Sequence, residues 1–377
     1  MKRRMIVTML CLMFVSSGTA EAVDDAVEAS AGEPKAAILI ERHTGAILYE
    51  NNSTQPLPMA STTKVMTALM ALEYGKLDEK VTCSANAFGV PGTSIYLEKG
   101  ETLTLKEMLY GLMLASGNDA AVAIAEHIGG SVTEFCAMMT ARAKELGCEN
   151  TRFATPHGLP HSDHYTTARD LAQISRAAME HPLFREIVAT QRATIPWESR
   201  SYDRVLQNKN KLLSSYPGAT GIKTGYTKAA GRCLVFGAER EGMEVIGVVL
   251  GCPDWFNEAA RIMDEGFRNY EYLTLLENGE SIRRIAVTQS DEASVEAVLE
   301  KELAAVVPKG GWPEIEIDLP TQLSGGVQKG QVLGEASLVY EGKVIAKSAL
   351  LADRDAPVRT FRTWLGKCAA NWLAAGE

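Results

Sequence analysis

Residues 58–73 read PMASTTKVMTALMALE, a stretch in which a chemical pattern opens a helix. Its apolar residues recur at helical spacing: Val65, Leu69 and Leu72. The pattern predicts a helix from Ser61 to Gly75, with Gly75 as its C-terminal cap. Ser61 and Lys64 are three residues apart, so the lysine amine should lie beside the serine hydroxyl on one helix face. A serine beside a lysine base is a nucleophile pair, and the free N–H groups of a helix N-terminus favour an oxyanion.

A chain of this length contains about one S-x-x-K by chance. The motif alone therefore does not indicate a catalytic site, and other motifs have to support it. A second triplet, Ser116-Gly117-Asn118, interrupts two apolar helical stretches within residues 105–128. The same S-x-N pattern occurs at Ser84-Ala85-Asn86, but there it lies in a polar connecting segment. A polar interruption of an apolar helical region indicates a functional role, and we therefore select Ser116 and Asn118 as site residues.

A third triplet, Lys223-Thr224-Gly225, is the only K-[ST]-G of the sequence. It precedes a strand-like run at Leu234, which predicts a position at the start of an edge strand. There Lys223 would supply a positive charge, Thr224 a hydroxyl, and Gly225 room for the substrate backbone. Burial, together with the charge of Lys223 in the same cleft, should lower the pKa of Lys64 so that its neutral amine can act as a base.

The remaining chain alternates strands and helices without a regular βαβ order. The stretch 36–50 predicts a hairpin with its turn at Thr44-Gly45, residues 167–179 and 258–270 predict helices, and residues 234–249 predict two strands. This mixture fits a sheet covered by helices. From residue 281 short Val and Ile runs alternate with Gly, Pro and Asp, which indicates a separate all-β segment and a boundary between Tyr272 and Arg283.

The N-terminus has the three parts of a secretory signal peptide. Lys2, Arg3 and Arg4 form a positive region, residues 5–15 an apolar run, and Ala20-Glu21-Ala22 an A-x-A cleavage site. The run is too short to span a bilayer, which needs about 20 residues. We therefore expect residues 1–22 to be removed on export.

Composition limits the function classes. The chain has 377 residues, of which 46% are hydrophobic and 23% charged, as in soluble globular proteins of two or three domains. A net charge of -9 argues against nucleic acid as a partner. The six cysteines after the signal peptide form no C-x-x-C pair, so we expect buried small apolar residues. A zinc site at the cluster His157, His161, Asp163 and His164 is disfavoured, because no H-E-x-x-H accompanies it.

The C-terminal tail has an aromatic face with basic residues beside it. Phe361, Trp364, Leu365, Cys368 and Trp372 follow helical spacing. The residues alone fit equally a helix at the membrane interface and a terminal helix docked on the β-rich segment.

The order S-x-x-K, S-x-N, K-T-G is the signature set of penicillin-binding proteins and serine β-lactamases. The chain resembles the low-molecular-mass penicillin-binding proteins that are serine-type D-Ala-D-Ala carboxypeptidases. The resemblance also rests on longer stretches: LEKGETLTLKEMLYGLMLASGNDAA, TRFATPHGL, HYTTARDLAQI, NKNKLL and GIKTGYTKAAGRCL.

The resemblance implies an α+β fold. It predicts a penicillin-binding-protein/serine β-lactamase-like catalytic domain over residues 23–277, with a mainly antiparallel sheet between helical layers. A small β-rich domain should follow at 278–356. An amphipathic helix at 357–377 should rest on the outer face of the cytoplasmic membrane.

The resemblance also implies the activity. It predicts an exported carboxypeptidase that removes the terminal D-Ala from peptidoglycan stem peptides through an acyl-enzyme on Ser61, that β-lactams inhibit covalently, and that needs no metal or cofactor. Lys64 would take the serine proton, and the Ser116 hydroxyl would connect Lys64 to the leaving amine. The implied substrate-binding residues are Asn118, Lys223, Thr224, Gly225 and Tyr226, with the N–H groups of Ser61 and Tyr226 as the oxyanion hole.

One position departs from the family pattern. Many members carry a carboxylate-binding arginine where this chain has Trp255, while Arg261 should point elsewhere. Lys223, Thr224 and Thr227 would then bind the terminal carboxylate of the substrate. Two alternatives are a class A β-lactamase, whose E-x-x-L-N glutamate pattern we do not find, and a penicillin-binding sensor without turnover.

Overall fold

The structure, a computed structural model, describes residues 32–361 and 364–366. The predicted signal peptide at 1–22 and most of the predicted helix at 357–377 lie outside these residues. Within the described part of the chain, no helix has the length and apolarity that a bilayer crossing requires.

Eight α-helices are found among the described residues: α1 Lys64–Tyr74, α2 Leu105–Tyr110, α3 Asn118–Gly129, α4 Val132–Glu145, α5 Ala168–Met179, α6 Pro182–Ala189, α7 Leu212–Ser215 and α8 Trp255–Asn269. A 3-10 turn at Ala60–Thr63, called the Ser61 turn below, leads into α1, and a π-helical turn at Gly111–Ala115 follows α2.

The strands are β1 Ala36–Glu41, β2 Ile47–Asn51, β3 Lys80–Thr82, β4 Thr102–Thr104, β5 Arg192–Ile195, β6 Arg204–Gln207, β7 Ala219–Thr227, β8 Gly231–Arg240, β9 Met243–Leu250, β10 Tyr270–Leu276, β11 Ser281–Thr288, β12 Ser294–Leu299, β13 Leu303–Pro308, β14 Glu314–Asp318, β15 Gln322–Ser324, β16 Val332–Tyr340 and β17 Lys343–Ala352.

A five-stranded antiparallel sheet, in the order β2-β1-β9-β8-β7, forms the centre of the first domain. Helices cover both of its faces, and alternate residues of one strand enter two different cores. On β1, Ile38 and Ile40 belong to the core that residues of α1 to α6 build, whereas Ala37 and Leu39 belong to the core that includes α8. The prediction of a mainly antiparallel sheet between helical layers is thus confirmed.

The hairpin predicted at 36–50 is the antiparallel pair β1 and β2. The helix predicted from Ser61 is confirmed, although its first turn is 3-10 rather than α. β7 is an edge strand, as predicted, but the prediction that the Lys223 triplet begins it is wrong. The triplet occupies the second half of β7, because the preceding segment from Ala219 already pairs with β8.

The C-terminal part is built of strands, as predicted. A six-stranded sheet has the order β14-β16-β17-β12-β11-β15, and β10 pairs with β13 in a separate ladder. This ladder crosses the boundary near residue 277 that the sequence predicts, since β10 follows α8 directly. The boundary itself stays a proposal.

The cysteines behave as small apolar residues. Within the described chain, five of them are buried and unbonded: Cys83, Cys136, Cys148, Cys233 and Cys252. The prediction of buried thiols is confirmed for these five, while Cys368 lies outside the described residues.

Candidate active site

The Ser61 turn is wedged between β7 and the loop that carries Gly158. A β-carbon at Gly225 would lie 2.8 Å from the Ser61 nitrogen, and one at Gly158 would lie 1.8 Å from the Ala60 carbonyl oxygen. Only glycine permits these backbone approaches. The structure therefore gives Gly225 a role besides the predicted one, because it makes room for the Ser61 turn of the enzyme itself.

Lys64 is fully buried, and three oxygen atoms surround its amine. Nζ lies 3.1 Å from Ser61 Oγ, 2.7 Å from Asn118 Oδ1 and 2.8 Å from the carbonyl oxygen of His157. Desolvation lowers the pKa of Lys64 well below its ordinary value, and the charges of Lys223 and Lys209 lower it further. The predicted direction of this pKa, and both of its predicted causes, are confirmed.

Ser116 and Asn118 reach the same place from the break between the π-helical turn and α3. Ser116 has a left-handed backbone with φ 64°, a conformation that costs energy for a residue with a β-carbon. Its hydroxyl is buried and has no hydrogen-bond partner among the described residues. Asn118 Nδ2 donates to the Pro91 carbonyl at 2.7 Å, which turns Oδ1 towards Lys64.

The other S-x-N serine has a local structural task. Ser84 Oγ accepts hydrogen bonds from the N–H groups of Asn86 and Ala87, both at 3.1 Å, which is the geometry of a turn. The structure therefore brings Ser116 and Asn118 to Ser61, while Ser84 closes a turn elsewhere.

The third triplet, Lys223-Thr224-Gly225, lies on β7, on the other side of the Ser61 turn from Asn118. Lys223 is 2% exposed, and its amine donates to the Thr224 carbonyl oxygen at 3.1 Å. Desolvation and, next, the Lys209 charge lower the pKa of Lys223 to about 7. Near neutral pH this amine is therefore only partly charged.

These elements enclose a cleft of about 610 Å³, called the active-site cleft below. Seven of the residues that the sequence assigns to the site line it: Ser61, Ser116, Asn118, Thr224, Gly225, Tyr226 and Thr227. Three cations that we did not select from the sequence also line it: Lys209, Lys211 and Arg232. Lys209 and Lys211 belong to the stretch NKNKLL, and Arg232 belongs to GIKTGYTKAAGRCL. Both stretches carry the family resemblance, but the sequence alone assigns these three cations no role.

A second missed feature holds the Ser61 turn in place. His164 Nδ1 accepts from the Ala154 N–H at 3.1 Å, so Nε2 carries the proton and donates to Thr63 Oγ1 at 2.8 Å. The Thr63 hydroxyl in turn donates to the Ala60 carbonyl at 2.8 Å. Burial lowers the pKa of His164 to about 4, so the ring stays neutral at pH 7.

The position where the resemblance expects an arginine is half-buried Trp255, whose ring lies 4.9 Å from that of Phe256. Arg261 forms ion pairs with Glu258 and Glu265 on its own helix. As expected, it is engaged away from the residues that line the cleft.

The chain is similar to known proteins over nearly its whole length. The peptidase S11 family, described as D-alanyl-D-alanine carboxypeptidase, matches residues 22–254, and the penicillin-binding protein 5 C-terminal domain family matches residues 270–357. The D-alanyl-D-alanine carboxypeptidase DacF of Bacillus subtilis is 35% identical over 98% of this chain and 97% of its own length. DacC of Escherichia coli is 31% identical over 90% of this chain and 88% of its own. The crystal structures of penicillin-binding protein 5 from Haemophilus influenzae superpose with a TM-score of 0.74 at 30% identity, covering 86% and 98% of the two chains.

Proposed function

This chain belongs to the peptidase S11 family of serine-type D-alanyl-D-alanine carboxypeptidases, and we propose that it removes the terminal D-Ala of peptidoglycan stem pentapeptides through an acyl-enzyme on Ser61. The observation that carries the mechanism is the environment of the Lys64 amine. Its three neighbours differ in whether they can give a proton.

Asn118 Oδ1 and the His157 carbonyl oxygen are acceptors with no proton to give. A neutral lysine amine has two N–H bonds and one lone pair. If the two N–H bonds are directed to these two acceptors, at 2.7 and 2.8 Å, the lone pair is left for the Ser61 hydroxyl proton. The lowered pKa of Lys64, caused mainly by burial, favours this neutral form.

The proposed reaction follows from this arrangement. Ser61 Oγ gives its proton to Lys64 Nζ and bonds to the carbonyl carbon of the penultimate D-Ala. The oxyanion that forms would accept from the N–H groups of Ser61 and Tyr226, each worth roughly 3–4 kcal/mol. The C–N bond then breaks, and the leaving amine takes the proton from Lys64 through the Ser116 hydroxyl. Ser116 Oγ hydrogen-bonds neither Lys64 nor any other described residue, so no other group competes for its hydroxyl in this role.

Water then adds to the ester carbon, and Ser61 regains its proton as the shortened peptide leaves. We propose that Asn118, Lys223, Thr224, Gly225 and Tyr226 bind the substrate backbone along β7. Since β7 is an edge strand, an extended peptide can pair with its free side. β-Lactams would acylate Ser61 in the same way and stall at the ester.

We further propose export and attachment to the outer face of the cytoplasmic membrane. The support is the sequence of residues 1–22 and the aromatic, basic tail at 357–377. The boundaries 23–277 and 278–356 remain proposals for the two domains between them.

The experiment is product analysis on a pentapeptide ending in D-Ala-D-Ala, with its D-Ala-L-Ala counterpart as control. We expect release of one D-Ala from the first peptide only. Ser61→Ala should lose this release and also the mass adduct that penicillin forms on the wild-type protein. An adduct on Ser61→Ala would contradict the assignment, and rapid β-lactam turnover without peptide release would favour a β-lactamase.

A further inference from the structure

The active-site cleft continues past Gly225 to Arg232 at the start of β8. The strand register pairs Tyr226 with Arg232 and Thr224 with Leu234. Residues that face each other in an antiparallel pair share a sheet face, and so do residues two apart. Arg232 is therefore the diagonal neighbour of Thr224 on the same face, a separation that a long side chain can bridge.

The Arg232 side chain is held at the rim but keeps an unmatched charge. One guanidinium nitrogen, Nη1, donates to the Pro253 carbonyl at 2.5 Å, in the turn that leads into Trp255 and Phe256. Within residues 32–361 and 364–366, Arg232 forms no ion pair. Its other guanidinium donors remain available to an anion.

Lys223 and Lys64 are less suited than Arg232 to hold the permanent negative charge of a carboxylate. Lys223 has a pKa of about 7, so it loses charge near neutral pH, and burial also lowers the pKa of Lys64 well below its ordinary value. A guanidinium stays protonated and presents paired donors that match a carboxylate. Among the described residues, those that line the cleft include no Asp or Glu that would compete for it.

We propose that Arg232, with the Thr224 hydroxyl, binds the carboxylate of the substrate's leaving residue. This inference rests on the proposed function, because a carboxypeptidase substrate carries that carboxylate one residue beyond the bond it loses. The carbonyl carbon that Ser61 attacks lies beside Gly225, and the carboxylate then extends along the β7 side of the cleft towards Arg232.

The test compares two peptides with wild type and three variants. One peptide ends in D-Ala-D-Ala with a free carboxylate, and the other is its C-terminal carboxamide. We expect Arg232→Gln to lower kcat/KM for the acid about 10- to 100-fold, the range of a lost charge-assisted hydrogen bond, while kcat/KM for the amide stays unchanged. Arg232→Lys should keep part of the acid/amide ratio, because it keeps the charge.

Lys228→Gln is the matched control, since it removes a positive charge from the exposed turn between β7 and β8 without lining the cleft. An equal loss on both peptides would mean that Arg232 acts by positioning the Pro253 turn, and the inference would be wrong. The inference would also be wrong if Arg232→Gln had the same ratio of kcat/KM for the acid to kcat/KM for the amide as wild type. It would be wrong as well if wild type showed no preference for the acid peptide. A wild-type protein that releases no D-Ala from the acid peptide would overturn the proposed function and, with it, this inference.

Discussion

The amine of Lys64 lies closer to the amide oxygen of Asn118, at 2.7 Å, than to the hydroxyl of Ser61, at 3.1 Å. The amide cannot turn over without losing its second bond, from Nδ2 to the Pro91 carbonyl. Asn118 therefore fixes which way the lysine N–H bonds point, in addition to any contact that it makes with substrate.

Asn118→Asp should raise the pKa of Lys64, because a carboxylate at this distance stabilises the ammonium form by roughly 1–3 pKa units. We expect acylation by a chromogenic β-lactam at pH 7 to fall at least about tenfold and to recover as the pH rises. Asn86→Asp is the control on a polar turn. A loss that is equal at every pH would indicate damage to the structure instead of a change in the pKa of Lys64.

Replacing Lys223 should also move the pH profile of acylation. Its charge is the second cause of the lowered Lys64 pKa, after desolvation, so Lys223→Gln should raise that pKa and shift the rising limb to higher pH. Lys223→Arg, which keeps a positive charge, should shift the limb much less. If acylation by wild type and by both variants shows the same apparent pKa, Lys223 does not affect the pKa of Lys64.

Ser116→Ala should lower kcat about 10²- to 10⁴-fold, the usual contribution of a positioned proton carrier. Ser84→Ala, at the second S-x-N of the chain, removes only two turn hydrogen bonds and should leave kcat near the wild-type value. Steady-state D-Ala release measures both. Equal kinetics for the two variants would show that the choice of Ser116 is wrong.

Acid should destabilise the protein partly through His164. Its folded pKa of about 4 lies below the ordinary value of 6.5, so between these values the unfolded state binds more protons and stability falls as the pH falls. His164→Gln should make the loss of unfolding free energy from pH 6.5 to 4 shallower by up to about 1.4 kcal/mol per pH unit. Urea titrations at several pH values test this, and an unchanged slope in His164→Gln would contradict it.

Removing residues 361–377 should release the protein from vesicles that contain anionic lipid, because interfacial binding depends on buried apolar area and charge. The cut is placed after Thr360 to retain Arg359, whose Nε lies 2.9 Å from Asp291 Oδ1 in the β-rich part. Co-sedimentation compares the two forms, and D-Ala release in solution should be unchanged. Full-length protein that remains in the supernatant would contradict membrane attachment.

Local sequence patterns predicted the elements that carry the three triplets, because hydrophobic period and turn residues act within a few positions. They could not reveal the contact of His164 with Thr63 or of Gly225 with the Ser61 turn, since these pairs meet only when distant segments pack. For the same reason, the sequence of the histidine cluster indicates only a metal site as its functional interpretation. The sequence also does not single out Arg232, because its position opposite Tyr226 follows from strand register.

The edge position of β7 also affects how easily the enzyme is inactivated by heat. β7 is hydrogen-bonded to a neighbouring strand on one side, so it should fray before the central strands β8 and β9. Fraying would withdraw the four site residues on β7, Lys223 to Tyr226, while most of the core remains folded, and inactivation by heat should then precede global melting. A peptide or β-lactam paired along the open side would slow amide hydrogen exchange in β7, so that occupancy of the cleft would itself protect the enzyme from inactivation.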